Sequence, residues 1–317
     1  RERERERRTG EAHLTTMTAN ESQSLSTPAN FVRVVFRGIG QVLFQDHAGT
    51  GLLFLAGIFI ASPLMGIGAT IGAVLGPVTA TLAGFDHDDV QAGLYGFNSV
   101  LLGTASLFFL QPRTLTWILV VIGSIAASFV TYLMRRYLSF PTYTAPFVVT
   151  TWILIIVAHS IAGTGIDVIA GPASDAPVRF IARVLRGTAE VMFGANEVSG
   201  LLFIVGIALS NWRHAVLALL GSMLGTLLGI YHQNPIPAID LGIYGYNASL
   251  AAIAVYLWRK SLLISLLAAA ITIPITEYFP SAQLGIPALT APFVLASWLV
   301  LFIGEIDAVF MKEQKAV

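Results

Sequence analysis

Long stretches without a charged side chain recur along this chain. Residues 47–85, 137–166 and 278–304, for example, contain no Asp, Glu, Lys or Arg. A helix needs about 20 apolar residues to cross the hydrocarbon core of a bilayer, so the longest of these stretches must hold more than one segment. Apolar residues make up 55% of the chain and charged residues only 11%, which is outside the range of soluble domains. The sequence therefore predicts an all-α, polytopic membrane protein.

Two of these stretches contain the same short motif. Residues 143–147 read Tyr-Thr-Ala-Pro-Phe and residues 289–293 read Leu-Thr-Ala-Pro-Phe, and a second proline precedes each motif, at Pro141 and Pro287. Each proline lacks an N–H and its ring clashes with the preceding turn, so a helix cannot run undisturbed through both. Irregular backbone at membrane depth is tolerated only where it is buried in protein or lines a cavity. We therefore expect a pore or transport site where the two motifs meet.

The motif is one of four blocks that occur twice in the same order. The other three pairs are residues 41–44 and 190–193, 51–58 and 200–207, and 93–98 and 242–247. Such ordered self-similarity indicates an internal duplication. Duplicated transporter halves commonly have inverted topology, with the site near the midplane between them. We expect two inverted repeats, each with about five transmembrane helices and one re-entrant pore helix at its Gly-x-Tyr-Gly-x-Asn block, with the pore at the repeat interface.

Charge and turn residues give the boundaries of the two repeats. Residues 1–30 are polar, have no apolar core of a signal peptide, and are interpreted as an N-terminal tail or an expression-vector remnant. The first membrane repeat is expected at 31–166 and the second at 185–311. A polar loop at 167–184 joins them, and 312–317 form a C-terminal tail.

Several classes of function find no support in the sequence. There is no cysteine, which excludes disulfides and thiolate metal sites. The net charge of +0 gives no indication of nucleic-acid binding. No nucleophile–His–Asp arrangement, metal spacing or phosphate loop suggests an enzyme. The acidic run at 86–89 resembles a metal cluster but is interpreted as a solvated loop, so we expect no metal and no cofactor.

The repeated motif resembles the signature of the urea transporter family, Leu-Pro-x-x-Thr-x-Pro-Phe, which occurs once per half. Here it stands at 140–147 and 286–293, with Phe or Ile in place of the first Leu, and the similarity extends over 31–310. The resemblance implies channel-like, passive and selective permeation of urea and close analogues without a coupling ion. It also implies a homotrimer, each protomer with its own pore, in the lipid bilayer of a bacterial cell membrane.

The matching blocks carry the pore residues of the family onto both halves of this chain. The residues implied are Gln41, Val42, Phe44, Phe97, Leu101, Thr144, Glu190, Val191, Phe193, Tyr246, Leu250 and Thr290. One pair departs from symmetry, because Tyr246 stands where the first half has Phe97.

These residue types suit urea, which is flat and uncharged and has two NH2 donors and one carbonyl acceptor. Removing water from an amide without replacement hydrogen bonds costs roughly 2–7 kcal/mol, so a pore must offer oxygen acceptors. Broken helices leave backbone carbonyls unpaired at their ends, which we expect near Asn98 and Asn247. Thr144 and Thr290 add hydroxyls that donate and accept, while aromatic and aliphatic side chains form flat walls. The absence of charged rings argues against an ion filter.

Other interpretations remain open for several of these residues. Glu190 could cap a helix or pair with Arg186 one turn earlier. The two threonines could simply begin the helices that contain Pro146 and Pro292, because proline suits a first turn. Both asparagines are expected to bond local backbone rather than solute. The alternative functions are an ion-coupled transporter of a small neutral solute that uses Glu190, or another small-amide or ammonia pore.

Overall fold

The computed structural model describes residues 27–162 and 179–315, and every regular element in these ranges is helical. The helices of the first half are α1 (Pro28–Gly40), α2 (Ala48–Ala61), α3 (Pro63–Leu82), α4 (His87–Gln91), α5 (Phe97–Phe109), α6 (Thr114–Tyr137) and α7 (Ala145–Ala162). Those of the second half are α8 (Phe180–Ala189), α9 (Glu197–Ser210), α10 (Trp212–Tyr231), α11 (Ile236–Leu241), α12 (Tyr246–Arg259), α13 (Leu262–Glu277), α14 (Ser281–Leu284) and α15 (Ala291–Lys315). Short 3-10 turns follow α1 at Gln41–Leu43 and α8 at Glu190–Met192.

The predicted all-α membrane architecture is confirmed. Within the described ranges, three helices (α3, α6 and α10) are long and apolar enough to cross a membrane. The count rises to five if each of two sharply bent pairs, α1 with α2 and α8 with α9, forms one span. Of the shorter apolar helices, α7, α13 and α15 occupy positions where the sequence predicts crossings, and α5 begins in the Gly-x-Tyr-Gly-x-Asn block where it predicts a re-entrant helix.

The corresponding helices of the two halves follow the same order, and two pairs have identical lengths. α2 and α9 each contain 14 residues, and α3 and α10 each contain 20. Both long helices begin at a side-chain cap: the Ser62 oxygen accepts from the Met65 N–H, and the Asn211 oxygen accepts from the Arg213 N–H. These caps satisfy amide groups that a helix start leaves without partners. The same local chemistry therefore builds the same element twice.

Helices α2 and α9 pack against each other in opposite directions. Thr50, near the start of α2, donates its hydroxyl to the carbonyl of Gly206 near the end of α9, at 2.6 Å. Ser199, near the start of α9, donates to the carbonyl of Gly57 near the end of α2, at 2.7 Å. Reciprocal contacts of this kind are what a two-fold relation between two similar units produces.

Small residues allow this close approach of α2 and α9. The rings of Phe54 and Phe203 meet between the helices with centroids 4.9 Å apart. A Cβ on Gly57 would lie 2.6 Å from the Phe203 ring, and one on Gly206 would lie 3.1 Å from the Phe54 ring. Glycine at both positions leaves room for the phenylalanine of the other half, as small residues do in membrane helix contacts.

Glycines also bring α3 into backbone contact with α5. A Cβ on Gly72 would lie 2.0 Å from the Ser99 carbonyl oxygen, and one on Gly68 would lie 2.3 Å from that of Gly103. The second half repeats this arrangement, because a Cβ on Gly225 would lie 2.0 Å from the carbonyl oxygen of Tyr244. The short helices α5 and α12 are thereby buried, and their first residues are held inside the protein.

The repeat boundaries in the structure differ slightly from those read from the sequence. Helix α1 begins at Pro28 and α8 at Phe180, before the expected starts at 31 and 185. Helix α15 continues to Lys315, so it includes most of the expected C-terminal tail. Most of the predicted inter-repeat loop and nearly all of the N-terminal tail lie outside the described residues.

Candidate functional site

Each repeat contains a sharp bend that carries a predicted pore phenylalanine. The chain turns by 73° between α1 and α2, and by 75° between α8 and α9. Phe44 ends the first 3-10 turn with φ 60°, and Phe193 ends the second with φ 61°. The N–H of Gln45 donates to the Gly40 carbonyl at 3.0 Å, which is the long-range bond of a Schellman helix end. These bends were not predicted from the sequence.

A phenylalanine is an unusual residue for this backbone conformation. Left-handed φ costs an L-residue with a Cβ about 1–2 kcal/mol, which is why glycine usually occupies this position in a Schellman motif. Strained conformations persist mainly at sites where the side chain is needed. Phenylalanine occurs in this conformation at both Phe44 and Phe193, which indicates that an aromatic ring is needed at each position.

The two phenylalanines pack on the proline motifs, and each contacts the motif phenylalanine of the opposite repeat. The Phe44 ring lies 6.0 Å from that of Phe293 and 5.9 Å from that of Tyr143, edge-on in both cases. The Phe193 ring lies 6.5 Å from that of Phe147, also edge-on. Each bend therefore meets a repeated motif through aromatic contacts.

The two motifs meet at their threonines. The hydroxyl oxygens of Thr144 and Thr290 are 2.7 Å apart, a hydrogen bond in which either can donate. Both side chains are buried. Helices α7 and α15 begin one residue later, so the threonines also precede helix starts, as the structural interpretation expected. The two interpretations are compatible, and the structure brings this predicted pair into direct contact.

The asparagines Asn98 and Asn247 support these helix starts. The side-chain oxygen of Asn98 accepts from the Phe147 N–H, and that of Asn247 accepts from the Phe293 N–H, both at 3.2 Å. Both asparagines do bond backbone, as expected. The prediction that this backbone is local is wrong, because it lies more than 40 residues away in the sequence. Long-range contacts of this kind leave no local signal in the sequence.

The unpaired carbonyls are not where the sequence analysis placed them. Helices α5 and α12 start beside Asn98 and Asn247, and a helix start offers N–H groups rather than carbonyls. The carbonyls of Val42 and Val191 lie at helix ends instead, and they receive none of the turn and loop hydrogen bonds between backbone groups of the described residues. Both lie in the 3-10 turns next to the strained phenylalanines, where the helix ends. The free backbone acceptors therefore belong to the bends.

Gln41 and Glu190 occupy equivalent positions with different partners. The Gln41 side chain donates to the Ala92 carbonyl at 2.9 Å. Glu190 is 7% exposed, and its Oε2 has no hydrogen-bond partner among the described residues. The proposed pairing with Arg186 is wrong, because that guanidinium contacts Glu197 at 3.1 Å. Glu190 is the C-cap residue of α8, where its backbone N–H donates to the Arg186 carbonyl, so the capping role is met by its backbone and leaves the carboxyl free.

A cavity of about 890 Å³ reaches the threonine pair from one side. Among the predicted residues, its wall includes Glu190, Val191, Phe193, Tyr246 and Thr290. The predicted residues of the first repeat do not line it; these are Gln41, Val42, Phe44, Phe97, Leu101 and Thr144. Leu101 and Leu250 are fully buried in α5 and α12.

The departure from symmetry at Tyr246 has a structural consequence. Its hydroxyl donates to the Leu289 carbonyl at 2.5 Å, and Asn247 donates to the same oxygen at 3.4 Å. Leu289 has a left-handed φ of 49° and directly precedes Thr290. Phe97 has no hydroxyl with which to make the equivalent bond. The second motif is therefore held by a hydrogen bond from the Tyr246 hydroxyl that the first motif lacks.

Sequence reasoning missed several aromatic residues of this site. Phe147 and Phe293 stand three residues after the motif threonines, which places them on the same helix face, so this signal was available. Phe108 packs against Phe193 with centroids 4.9 Å apart and lines the cavity. Nothing in its apolar surroundings distinguishes it from a residue that faces lipid or core.

The acidic run at 86–89 takes part in a helix cap and an ion pair. Its first residue, Asp86, accepts from the Asp89 N–H at 3.0 Å and caps α4. Asp89 forms an ion pair with Arg135 at 2.7 Å. Within the part of the chain that the structure describes, no cluster of three or more His, Asp or Glu residues could hold a metal ion. Much of the expected loop is thus a short capped helix.

Comparison with known proteins decides the family. A family model described as urea transporter matches residues 32–305. The chain belongs to the urea transporter family. It is 27% identical to Urea transporter 1 of Ovis aries and to that of Capra hircus, over 86% of this chain and 77% of theirs. Urea transporter 1 of Rattus norvegicus is equally similar, at 27% identity over the same shares.

Membership in the urea transporter family confirms the resemblance drawn from the repeated motif. It confirms urea transport through an integral membrane protein as the function. The urea transporters are a family of transport proteins rather than of catalysts.

Proposed function

We propose that urea passes without energy coupling through a narrow pore between two inverted repeats, and that the threonine pair marks its centre. The observation that carries this proposal is the hydroxyl contact of 2.7 Å between Thr144 and Thr290. It places the repeated motifs of both halves at one point, inside the protein, where an uncharged solute can exchange hydrogen bonds.

The packing of α2 against α9 supports the inverted arrangement. These helices run antiparallel and contact each other reciprocally about Phe54 and Phe203. A two-fold axis that relates antiparallel helices is perpendicular to them. If both helices cross the bilayer, the axis lies in the membrane plane, and the second repeat has the opposite orientation to the first.

We propose that both repeats supply oxygen acceptors along the route of the urea molecule. The first repeat provides the Gln41 side chain and the Val42 carbonyl, and the second provides the Glu190 carboxyl and the Val191 carbonyl. Each can replace a water molecule lost by a urea NH2 group, which avoids a desolvation cost of roughly 2–7 kcal/mol. At the centre, urea must replace the bond between two hydroxyls, so a solute that both donates and accepts is favoured.

Aromatic side chains give this route its shape. Phe44 with Phe293, and Phe193 with Phe147, present rings near the threonines from opposite repeats. Such rings form flat apolar walls that accommodate a planar molecule and offer nothing to a hydrated ion. We propose that these walls, with Leu101 and Leu250 behind them, select urea and close analogues.

One observation favours a second candidate, an ion-coupled transporter. Glu190 is a buried carboxyl with an unpartnered oxygen, and ionisable residues within membrane segments often mark proton or ion pathways. Passive flow requires only that this side chain accept a hydrogen bond. Coupled transport requires that it gain and lose charge in each cycle.

Urea flux in proteoliposomes separates these functions. Purified protein is reconstituted, and urea efflux is recorded by stopped-flow light scattering with and without a protonophore. We expect flux that follows the urea gradient alone and is unchanged by the protonophore. Parallel assays with formamide, ammonia and water test selectivity against a general small-amide or ammonia pore. Flux that collapses with the protonophore would establish the coupled transporter instead.

We further propose that the protein is a homotrimer of a bacterial cell membrane. Large apolar side chains such as Ile122, Ile153 and Phe302 are more than half exposed on the single chain, and apolar surface of this kind is covered by lipid or by another subunit. Native mass spectrometry of the detergent-solubilised protein measures the subunit number. A monomer or dimer under conditions that preserve urea flux would contradict the trimer.

A further inference from the structure

A chain of hydrogen bonds joins the start of α10 in the second repeat to the bend of the first repeat. It runs from Asn211 through His214 and Gln45 to the carbonyl of Leu43. His214 is 6% exposed and Gln45 is 1% exposed, so water does not compete freely for these bonds. Gln45 directly follows Phe44, the strained residue that forms a wall of the proposed pore.

The orientation of Asn211 fixes one side of the histidine ring. Its Oδ1 accepts from the Arg213 N–H at 3.0 Å, the bond that caps α10. Its Nδ2 therefore points to the other side, where it lies 3.3 Å from Nε2 of His214. Because an amide nitrogen can only donate, Nε2 of the ring must be the acceptor and carry no proton.

The orientation of Gln45 fixes the other side of the ring. Its Nε2 lies 2.5 Å from the Leu43 carbonyl, which can only accept, so the amide nitrogen is directed there. The Gln45 amide oxygen then lies 3.4 Å from Nδ1 of His214, and its nitrogen lies 3.2 Å from the same atom. Because Nε2 carries no proton, the neutral ring has its proton on Nδ1, and of the two amide atoms only the oxygen can accept it. The neutral imidazole with its proton on Nδ1 therefore fits the orientations of both amides.

A second proton on His214 breaks this arrangement. It would place an N–H on Nε2 against the Asn211 NH2 group, and the asparagine cannot turn without losing the cap of α10. The titratable groups that face the ring give no compensation. Tyr256 of α12 packs edge-on against it at 6.4 Å, and the ammonium of Lys260 lies 5.2 Å from the centre of that same tyrosine ring.

Among the described residues, the bend of the second repeat is not held by an equivalent of this hydrogen-bond chain, which we call the His214 brace. In the matched halves, Met65 stands at the position of His214, and Gly194 stands at the position of Gln45. Met65 lines the 890 Å³ cavity instead of bonding the second bend. The second bend therefore lies beside the cavity, whereas the first bend is held by polar contacts.

We propose that His214 is a positioning residue for urea permeation, which holds Phe44 and its bend in place through Gln45 only while the imidazole is neutral. This inference rests on the proposed function of the bends as pore walls. Mild acid places an N–H on Nε2 against the Asn211 NH2 group and displaces the ring, so the ring no longer holds Gln45 in position; the strained turn then relaxes, the first wall is lost and urea flux falls.

The test compares urea flux in proteoliposomes at about pH 7.5 and about pH 5, on either side of the ordinary histidine pKa of about 6.5. For the wild type we expect flux to fall about fivefold at acid pH, a change equivalent to the net loss of one hydrogen bond. His214→Gln should conduct equally at both pH values, because its amide can accept from Asn211, donate to Gln45 and not titrate. His214→Met introduces the residue found at the equivalent position of the other repeat. Its urea flux should equal the low wild-type flux of acid pH at both pH values.

Two controls and a second measurement keep the inference separate from the proposed function. His87→Gln, at an exposed position in α4, should keep the wild-type pH response. Hydrogen exchange of the amides at 40–46, corrected for the intrinsic effect of pH, should increase at acid pH in the wild type but not in His214→Gln. A wild type without urea flux at neutral pH would contradict the proposed function alone. Wild-type flux and exchange that do not depend on pH, or a pH response retained in His214→Gln, would overturn the brace.

Discussion

At the scale of single residues, the site combines the bonded hydroxyls of Thr144 and Thr290 with acceptors that the fold uses less fully. The carbonyls of Val42 and Val191 receive no turn or loop hydrogen bond from the described backbone, and Oε2 of Glu190 has no partner among the described residues. A buried group without a partner carries a desolvation penalty of about 1–3 kcal/mol. Their persistence at equivalent places in two repeats is what a solute that donates hydrogen bonds would explain.

Glu190 should be replaceable by an uncharged acceptor. We expect Glu190→Gln to keep urea flux within about threefold of the wild type, whereas Glu190→Leu should reduce flux about tenfold, because the desolvated NH2 group of urea then lacks an acceptor. Stopped-flow flux on reconstituted protein measures both. Equal losses in the two variants would show that the charge, and not the oxygen atom, is needed.

Tyr246 should stabilise the second motif through its hydroxyl. Tyr246→Phe removes the bond to the Leu289 carbonyl and reproduces the side chain present at Phe97. We expect unfolding to become easier by about 1 kcal/mol, the net worth of a buried hydrogen bond. Denaturant unfolding in detergent provides the measurement, with the exposed Tyr278→Phe as the control. A loss no larger than that of the control would show that the hydroxyl does not brace the motif.

At the scale of helices and turns, each bend holds a phenylalanine in a strained left-handed backbone conformation because its side chain is needed there. Phe44→Gly should relieve the left-handed conformation and stabilise the fold by up to about 1 kcal/mol, less what is lost with the ring contacts. The same change should weaken discrimination between urea and larger analogues, because one wall is missing. Flux ratios for urea and thiourea test this prediction.

Gln233→Gly is the matched control for this strain. Gln233 has a similar φ of 59° but is exposed at the end of α10. Its replacement should relieve strain without a change in the flux ratio. If Phe44→Gly also left the ratio unchanged, the ring would have no part in selection.

Much at this scale could be predicted from the sequence, and the rest could not for physical reasons. The repeated prolines correctly located helix starts at α7 and α15, because proline removes a donor at a fixed position in the chain. The left-handed Phe44 was not predictable, since the usual indication of such a conformation is glycine. The partners of Asn98 and the brace from His214 were also missed, because they depend on contacts across many residues.

At the scale of the whole molecule, the two repeats are held together by reciprocal contacts between α2 and α9. Gly57→Leu should destabilise the protein by roughly 1–3 kcal/mol, since the added side chain must displace the Phe203 ring. Gly194→Ala is the control, because its added Cβ would meet no atom closer than 3.4 Å. Thermal unfolding in detergent compares the two. A fully stable Gly57→Leu would argue against this interface.

The central claim is that urea crosses the protein between the two threonines, and urea flux through Thr144→Val and Thr290→Val proteins tests it most directly. Valine keeps the shape of threonine and removes only the hydroxyl, so assembly should be preserved. We expect each change to reduce flux roughly tenfold, because a dehydrated urea loses a hydrogen-bond partner. Thr81→Val, at an exposed position in α3, should conduct as the wild type does. Wild-type flux through both threonine variants would contradict the account.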